Sequence, residues 1–208
     1  MTLAIRTRIA AIASASAMSL LLGACASKGP TTAQYDFGPL PAAKPVTAQT
    51  PNAAAIIVTD VGGPAALDSE RMYYRLLYAD ARQSRPYAYN QWTSTPPQLL
   101  TQRLKAHIAQ SGIKVLSPSD AAASTNLLRM EVEDFTQNFD SASSSSGTLR
   151  LRASVFRSHK LVDQKTFSRS APAPSADAAG GARALADAAD AVAGDLLAWL
   201  AALPPSKE

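Results

Sequence analysis

The sequence predicts an α+β domain, an antiparallel or mixed sheet of about five strands with two helices packed on one face. Two observations carry the sheet. Leu128, Met130 and Val132 alternate with Arg129, Glu131 and Glu133, while Leu149, Leu151, Ala153 and Val155 alternate with Arg150, Arg152 and Ser154. Strict period two gives each strand one buried and one wet face, as in antiparallel sheets. A third observation carries the helices. Leu100, Leu104 and Ile108 recur at spacing four, and Leu185, Ala189, Val192, Leu196 and Leu200, with Trp199, share one face at spacings of three and four.

The chain opens with a leader. Arg6 and Arg8 stand in a start without acidic residues, followed by an uncharged run from Ala11 to Ala24. That run falls short of the roughly 20 residues a spanning helix needs. Residues 1–24 therefore read as a cleaved secretory signal peptide. Its end, Leu22-Gly23-Ala24-Cys25, resembles the bacterial lipobox. That resemblance implies a thioether diacylglycerol on Cys25, cleavage before it and a third acyl chain, palmitate, on the new amino group. One myristoyl chain binds a membrane only marginally, at about 0.8 kcal/mol per buried CH₂, so three chains make attachment permanent. Ala26, where an Asp is absent, resembles the Gram-negative sorting pattern for the outer membrane.

Cys25 is the only cysteine, so no disulfide staples the domain. The formal charge of +4 falls to +2 once Arg6 and Arg8 leave (18 basic against 16 acidic residues). With no run of five Lys or Arg, nucleic acid is not an expected partner.

In chain order, residues 25–34 are the lipidated cysteine and a polar tether that lifts the domain off the bilayer. The domain runs over 35–200. "YDFG" at 35–38 is a short strand, 39–52 a Pro-rich loop, and Ile56–Val61 a β-branched run stopped by Gly62-Gly63-Pro64. Five of the six tyrosines lie between Tyr73 and Tyr89. There "ERMYYRLLY" and "PYAYNQW" predict a hairpin joined by the polar turn "ADARQSR", with helix as the competing reading of the first. Thr95, Pro96 and Pro97 open the first amphipathic helix and Gly112 ends it. "IKVL" is a short strand. "FDSASSSSG" reads as a flexible tip between the two alternating strands, with Glu131 and Glu133 facing Arg150 and Arg152 across them. "KLVDQKTFSRS" is one more strand, "APAPSADAAGG" breaks the pattern, and Ala182–Leu200 is the last helix, followed by a tail at 201–208.

Catalytic and metal motifs are missing from the sequence. His107 and His159 are the only histidines, and no H-E-x-x-H, C-x-x-C, G-x-S-x-G, G-x-G-x-x-G or Walker A occurs. Neither cofactor nor metal is expected, and the chain does not read as an enzyme. Asp134 and Asp140 are the one candidate carboxylate pair, and chance proximity on a hairpin explains them. The tyrosines suit a protein interface, a lipid-facing groove or plain packing between sheet and helix.

The order of segments adds to this. A lipobox, "YDFG", "IIVTDVGGPAALDSERMYYRL", "YAYNQWTSTPPQLLTQRLKAHIAQSG", "NLLRMEVEDF", "GTLRLRASVF" and an alanine-rich final helix together resemble the ABC-type transport auxiliary lipoproteins. The resemblance implies a non-enzymatic outer-membrane component, facing the periplasm, of an MCE-type ABC system that moves phospholipid or other hydrophobic molecules. Its partners would be an MCE-domain protein and the ABC transporter subunits. Asp68, Tyr73, Tyr74, Tyr89 and Trp92 fall in or beside the family's pattern as structural or interface residues. The alternative is an assembly lipoprotein that binds an outer-membrane β-barrel or lipopolysaccharide. An exposed sheet edge also leaves a homo-oligomer open.

Overall fold

The computed structural model describes residues 30–42, 55–120 and 125–204. Cys25 and the lipobox lie outside them, as does most of the 39–52 loop. The chain divides into a unit over Met1–Thr31 and one over Thr32–Glu208, and the fold below is that of the second.

Its axis is the hairpin of β6 (Leu127–Ser141) and β7 (Ser144–Arg157), followed by β8 (Lys160–Pro172) antiparallel to β7. The side chains expected inside are inside. Leu128, Met130, Leu149, Leu151, Ala153 and Val155 are wholly buried. After Val132 a bulge at Glu133 resets the alternation, so that Phe135, Gln137 and Phe139 also turn inward. On the other face the expected charge pairing forms. Arg150 Nε lies 2.8 Å from Glu133 Oε2, and Arg152 bridges Glu131 and Glu133. Such exposed pairs stabilise by only about 0.2–1 kcal/mol each.

The free edge of β6 is shared by two short parallel partners. Its start pairs with β2 (Ala55–Val58), beyond which lies β5 (Lys114–Leu116). Its later part pairs with β3 (Arg71–Leu76), which continues through β4 (Ala81–Trp92) to β1 (Ala33–Tyr35). The mixed sheet thus has eight strands where about five were expected. Segments of three or four residues are too short to show a period, and their parallel pairing is a tertiary event.

Three helices accompany the sheet among the described residues: α1 (Leu77–Asp80), a single turn, α2 (Pro96–Gln110) and α3 (Ala178–Ala202). Alpha helix α3 lies across β7 and β8, and α2 packs on α3 and beside β5. In α2, Gln98 Oε1 accepts the Thr95 N–H at 3.4 Å, and Gly112 takes φ +89° just past the end. Leu100, Leu104 and Ile108 are buried as expected.

Three local differences have clear causes. Strand β1 starts two residues before "YDFG", and β4 starts at Ala81, so the turn of the β3–β4 hairpin is Leu77–Asp80 and the "ADARQSR" stretch is mostly strand. The serine run is strand up to the Ala142–Ser143 turn, because Ser145 is buried and accepts a hydrogen bond from Gln137 Nε2 at 2.9 Å. Helix α3 begins at Ala178 rather than Ala182. Asp177 caps it through Gly180 N–H at 2.8 Å, and the glycines read as breakers are fitted to neighbours. A Cβ on Gly181 would collide with the Gln137 amide, and one on Gly147 of β7 would sit 2.6 Å from the Leu185 nitrogen.

Candidate interaction surface

The tyrosines divide into a packed set and an exposed set. Tyr74 and Tyr87 stack with ring centroids 4.6 Å apart, and Tyr74 meets Phe139 edge-on at 5.7 Å. Tyr87 donates its hydroxyl to Gln137 Oε1 at 2.9 Å, and Gln137 Nε2 donates to Ser145 Oγ at 2.9 Å and to the Asp177 carbonyl at 3.0 Å. Gln137 is 1% exposed, so this chain satisfies a buried amide and pins the β3–β4 hairpin to β6, β7 and the start of α3. Burial, then the neighbouring Tyr74, pushes the Tyr87 phenol above its ordinary range. Tyr78 and Tyr89, in contrast, are 53% and 54% exposed, with Leu77 beside them at 41%.

The other residues singled out by sequence also separate. Trp92 is 1% exposed and packs on Phe37 and Phe135, with centroids at 5.7 and 5.5 Å. It is a core residue. Asp68 is exposed and ends the 3-10 turn Ala65–Leu67, its own N–H donating to the Ala65 carbonyl. Tyr73 is half-buried on β3. Asp134 is no partner of Asp140; it accepts from Arg75 Nη1 at 3.3 Å.

A clamp that the sequence reading missed lies beneath a groove. Arg103 of α2 donates from Nε and Nη2 to the two carboxylate oxygens of Asp190 on α3, at 2.6 and 2.7 Å, and from Nη1 to the Gly38 carbonyl at 3.1 Å. His107 Nε2 lies 2.7 Å from Asp190 Oδ1. Burial pushes the Asp190 carboxyl upward, but the hydrogen bonds from Arg103 and His107 outweigh it and hold the group below the ordinary carboxylate range. The signal was present: Arg103 sits between the apolar Leu100 and Leu104, and Asp190 directly follows Ala189 of the apolar stripe, and charges at such positions need a partner. Above this clamp, an open groove of about 840 Å³ runs between residues 34–41 and α3. Phe37, Pro39, Pro172, Ala182 and Ala186 line it, with Arg183 and Asp187 adding charge. Largely apolar walls with a few charges suit a docked segment of another molecule.

Among the described residues, no group of three or more His, Cys, Asp or Glu could hold a metal ion, and no helix is long and apolar enough to cross a membrane.

Residues 35–196 match the family model of the ABC-type transport auxiliary lipoprotein component. Two solved structures share the fold. A Xanthomonas campestris protein superposes with a TM-score of 0.62 at 19% identity, over 84% of this chain and 88% of that one. An uncharacterized protein superposes with a TM-score of 0.65 at 17% identity, over 82% of this chain and 99% of that one. A sequence search of curated proteins finds no match.

Proposed function

Because the chain belongs to the ABC-type transport auxiliary lipoprotein component family, we propose that it is the outer-membrane, periplasm-facing lipoprotein of an MCE-type ABC system carrying phospholipid or other hydrophobic molecules between the membranes. Cys25 is the acylated residue, and the domain docks the MCE-domain protein without doing chemistry itself.

The observation that carries the docking role is the groove beside α3. Its walls are largely apolar, while Arg103 and Asp190 at its base are committed to each other. A general base must be able to reach a substrate proton, and His107 is not among the residues that line the groove. The groove therefore offers contact area more than reactivity. Arg183 and Asp187 give a docked partner its orientation.

Metabolic labelling with palmitate, followed by separation of inner and outer membranes, tests the anchor. The label should follow the outer-membrane fraction and vanish in Cys25→Ala. Deleting the gene should make the envelope leakier to detergent and bile salts. A deletion strain with an unchanged envelope, in which the protein contacts no MCE-domain protein, would contradict the reading.

A further inference from the structure

Three of the four large apolar side chains most exposed in the described residues, Leu77, Tyr78 and Tyr89, belong to the β3–β4 hairpin. Leu77 and Tyr78 form its tip, and Arg82 and Arg85 follow on β4. Neither arginine has a carboxylate partner among the described residues: the Arg85 guanidinium rests on Gln83 Oε1, and Asp80 Oδ1 accepts the Arg82 backbone N–H at 2.9 Å. Asp140, exposed near the end of β6 on the same side, offsets part of this charge. Apolar contact with local arginine contacts, more than net charge, is what the tip offers.

The register says which way that tip points. Strand β1 runs parallel to β4, with Ala33 level with Asn90. The chain therefore enters β1 from the end of the sheet where β4 begins, at Ala81, beside the Leu77–Asp80 turn. From Cys25 to Ala33 is eight residue steps, at most about 26–29 Å when fully extended. Strand β4 is not evenly extended here, since Gln91 faces Arg71 while Ser84 faces Arg75, so the tip at Leu77 lies six steps of β3 from Arg71, about 20 Å. The length of the tether is thus enough for the tip and Cys25 to meet the same bilayer.

We propose that the β3–β4 hairpin tip is a membrane foot: Leu77 and Tyr78 insert at the phospholipid interface of the bilayer that holds Cys25, and Arg82 and Arg85 contact its phosphates. Tyrosines at the headgroup level and arginines that keep their heads in the phosphate layer are the physical pattern of such a contact. The foot rests on the lipidation of Cys25 proposed above. It fixes the orientation of the domain, so that the groove beside α3 is presented at a set height above the membrane.

The test uses the full chain, processed in cells, purified and reconstituted in phosphatidylethanolamine–phosphatidylglycerol vesicles. An environment-sensitive thiol dye is placed by Tyr78→Cys, or by Leu161→Cys on the exposed start of β8 at the other end of the sheet. The dye at 78 should shift to the blue and be quenched by doxyl-labelled lipid, and the dye at 161 should do neither. Arg82→Glu with Arg85→Glu should reduce the quenching at 78. No response at 78, or equal responses at both sites, overturns the foot. A response at 78 that appears only when solubilised envelope proteins are added assigns the tip to a protein partner and also overturns it. Unsubstituted protein reports on the anchor separately: it takes up no dye if Cys25 is acylated, and dye on Cys25 contradicts the lipidation itself.

Discussion

Arg103 and Asp190, 87 residues apart in sequence, join the two long helices through a two-pronged ion pair of 2.6 and 2.7 Å. The arginine is 7% exposed, while the aspartate keeps 20% of its side chain in contact with solvent. Removing one partner strands the other beneath the groove. Arg103→Ala or Asp190→Ala should cost about 2–4 kcal/mol, less than a fully buried pair because Asp190 is partly screened. Chemical unfolding of the two single variants and the double variant measures it. The double variant should be clearly less damaged than the sum, and simple additivity would mean that the pair is not coupled.

The same carboxyl sets an acid sensitivity. Its folded pKa lies below the ordinary aspartate value, so the unfolded chain takes up a proton first as the pH falls. The stabilisation is present above the ordinary value, about 3.9, and is lost as the pH falls through the folded pKa. Asp177, held low by the Gly180 N–H and then by the Ser175 hydroxyl, adds to the loss in the same direction. Unfolding midpoints followed from pH 6 down to pH 3 should drop more steeply for the wild type than for Asp190→Asn.

Two glycines of α3 should respond oppositely to alanine. A Cβ at Gly181 collides with the Gln137 amide, whereas one at Gly194 meets nothing within 4 Å. Gly194→Ala should stabilise by about 0.5–1 kcal/mol, the usual gain in a helix interior. Gly181→Ala should destabilise by about 1–3 kcal/mol, because the buried amide must move and lose partners. Thermal unfolding of both variants is sufficient, and equal signs would contradict the packing described.

The hydrogen-bonded chain through Gln137 predicts a ranking. Tyr87→Phe removes one donor and should cost about 1 kcal/mol. Gln137→Leu orphans the Tyr87 hydroxyl and the Asp177 carbonyl together and should cost more, about 2–3 kcal/mol. Hydrogen exchange should locate the loss in the β3–β4 hairpin and the first turn of α3.

Much of this fold was legible in the sequence, and the reasons differ by element. Alternation in β6 and β7 was strong enough to give both the buried set and the Glu131, Glu133, Arg150 and Arg152 pairing. Thr95, the two prolines and Gly112 marked α2 because those signals act within one turn. The start of α3 was hidden because Gly180 and Gly181 answer to Ser175 and Gln137, not to local helix propensity. The serine run looked like loop for a similar reason: Ser145 is buried in a strand with its hydroxyl held by Gln137 and its carbonyl by the Ala173 N–H, partners outside its own segment. Trp92 and Tyr89 stand three residues apart with similar chemistry, yet one is core and the other surface. An irregular register between β3 and β4 near these residues breaks the alternation that would have sorted them. The Arg103–Asp190 clamp joins two helices separated by four strands in sequence, a distance over which neither pattern nor spacing carries information.

The central claim is that an anchored domain docks an MCE-domain protein through the groove beside α3. A photo-crosslinking amino acid at position 183, in the full chain in its native envelope, tests it most directly, with Cys25→Ala alongside. An ultraviolet-dependent adduct to an MCE-domain protein, weakened in Cys25→Ala, is the predicted result. An adduct only to a β-barrel protein, or none while the protein sits in the outer membrane, would contradict the account.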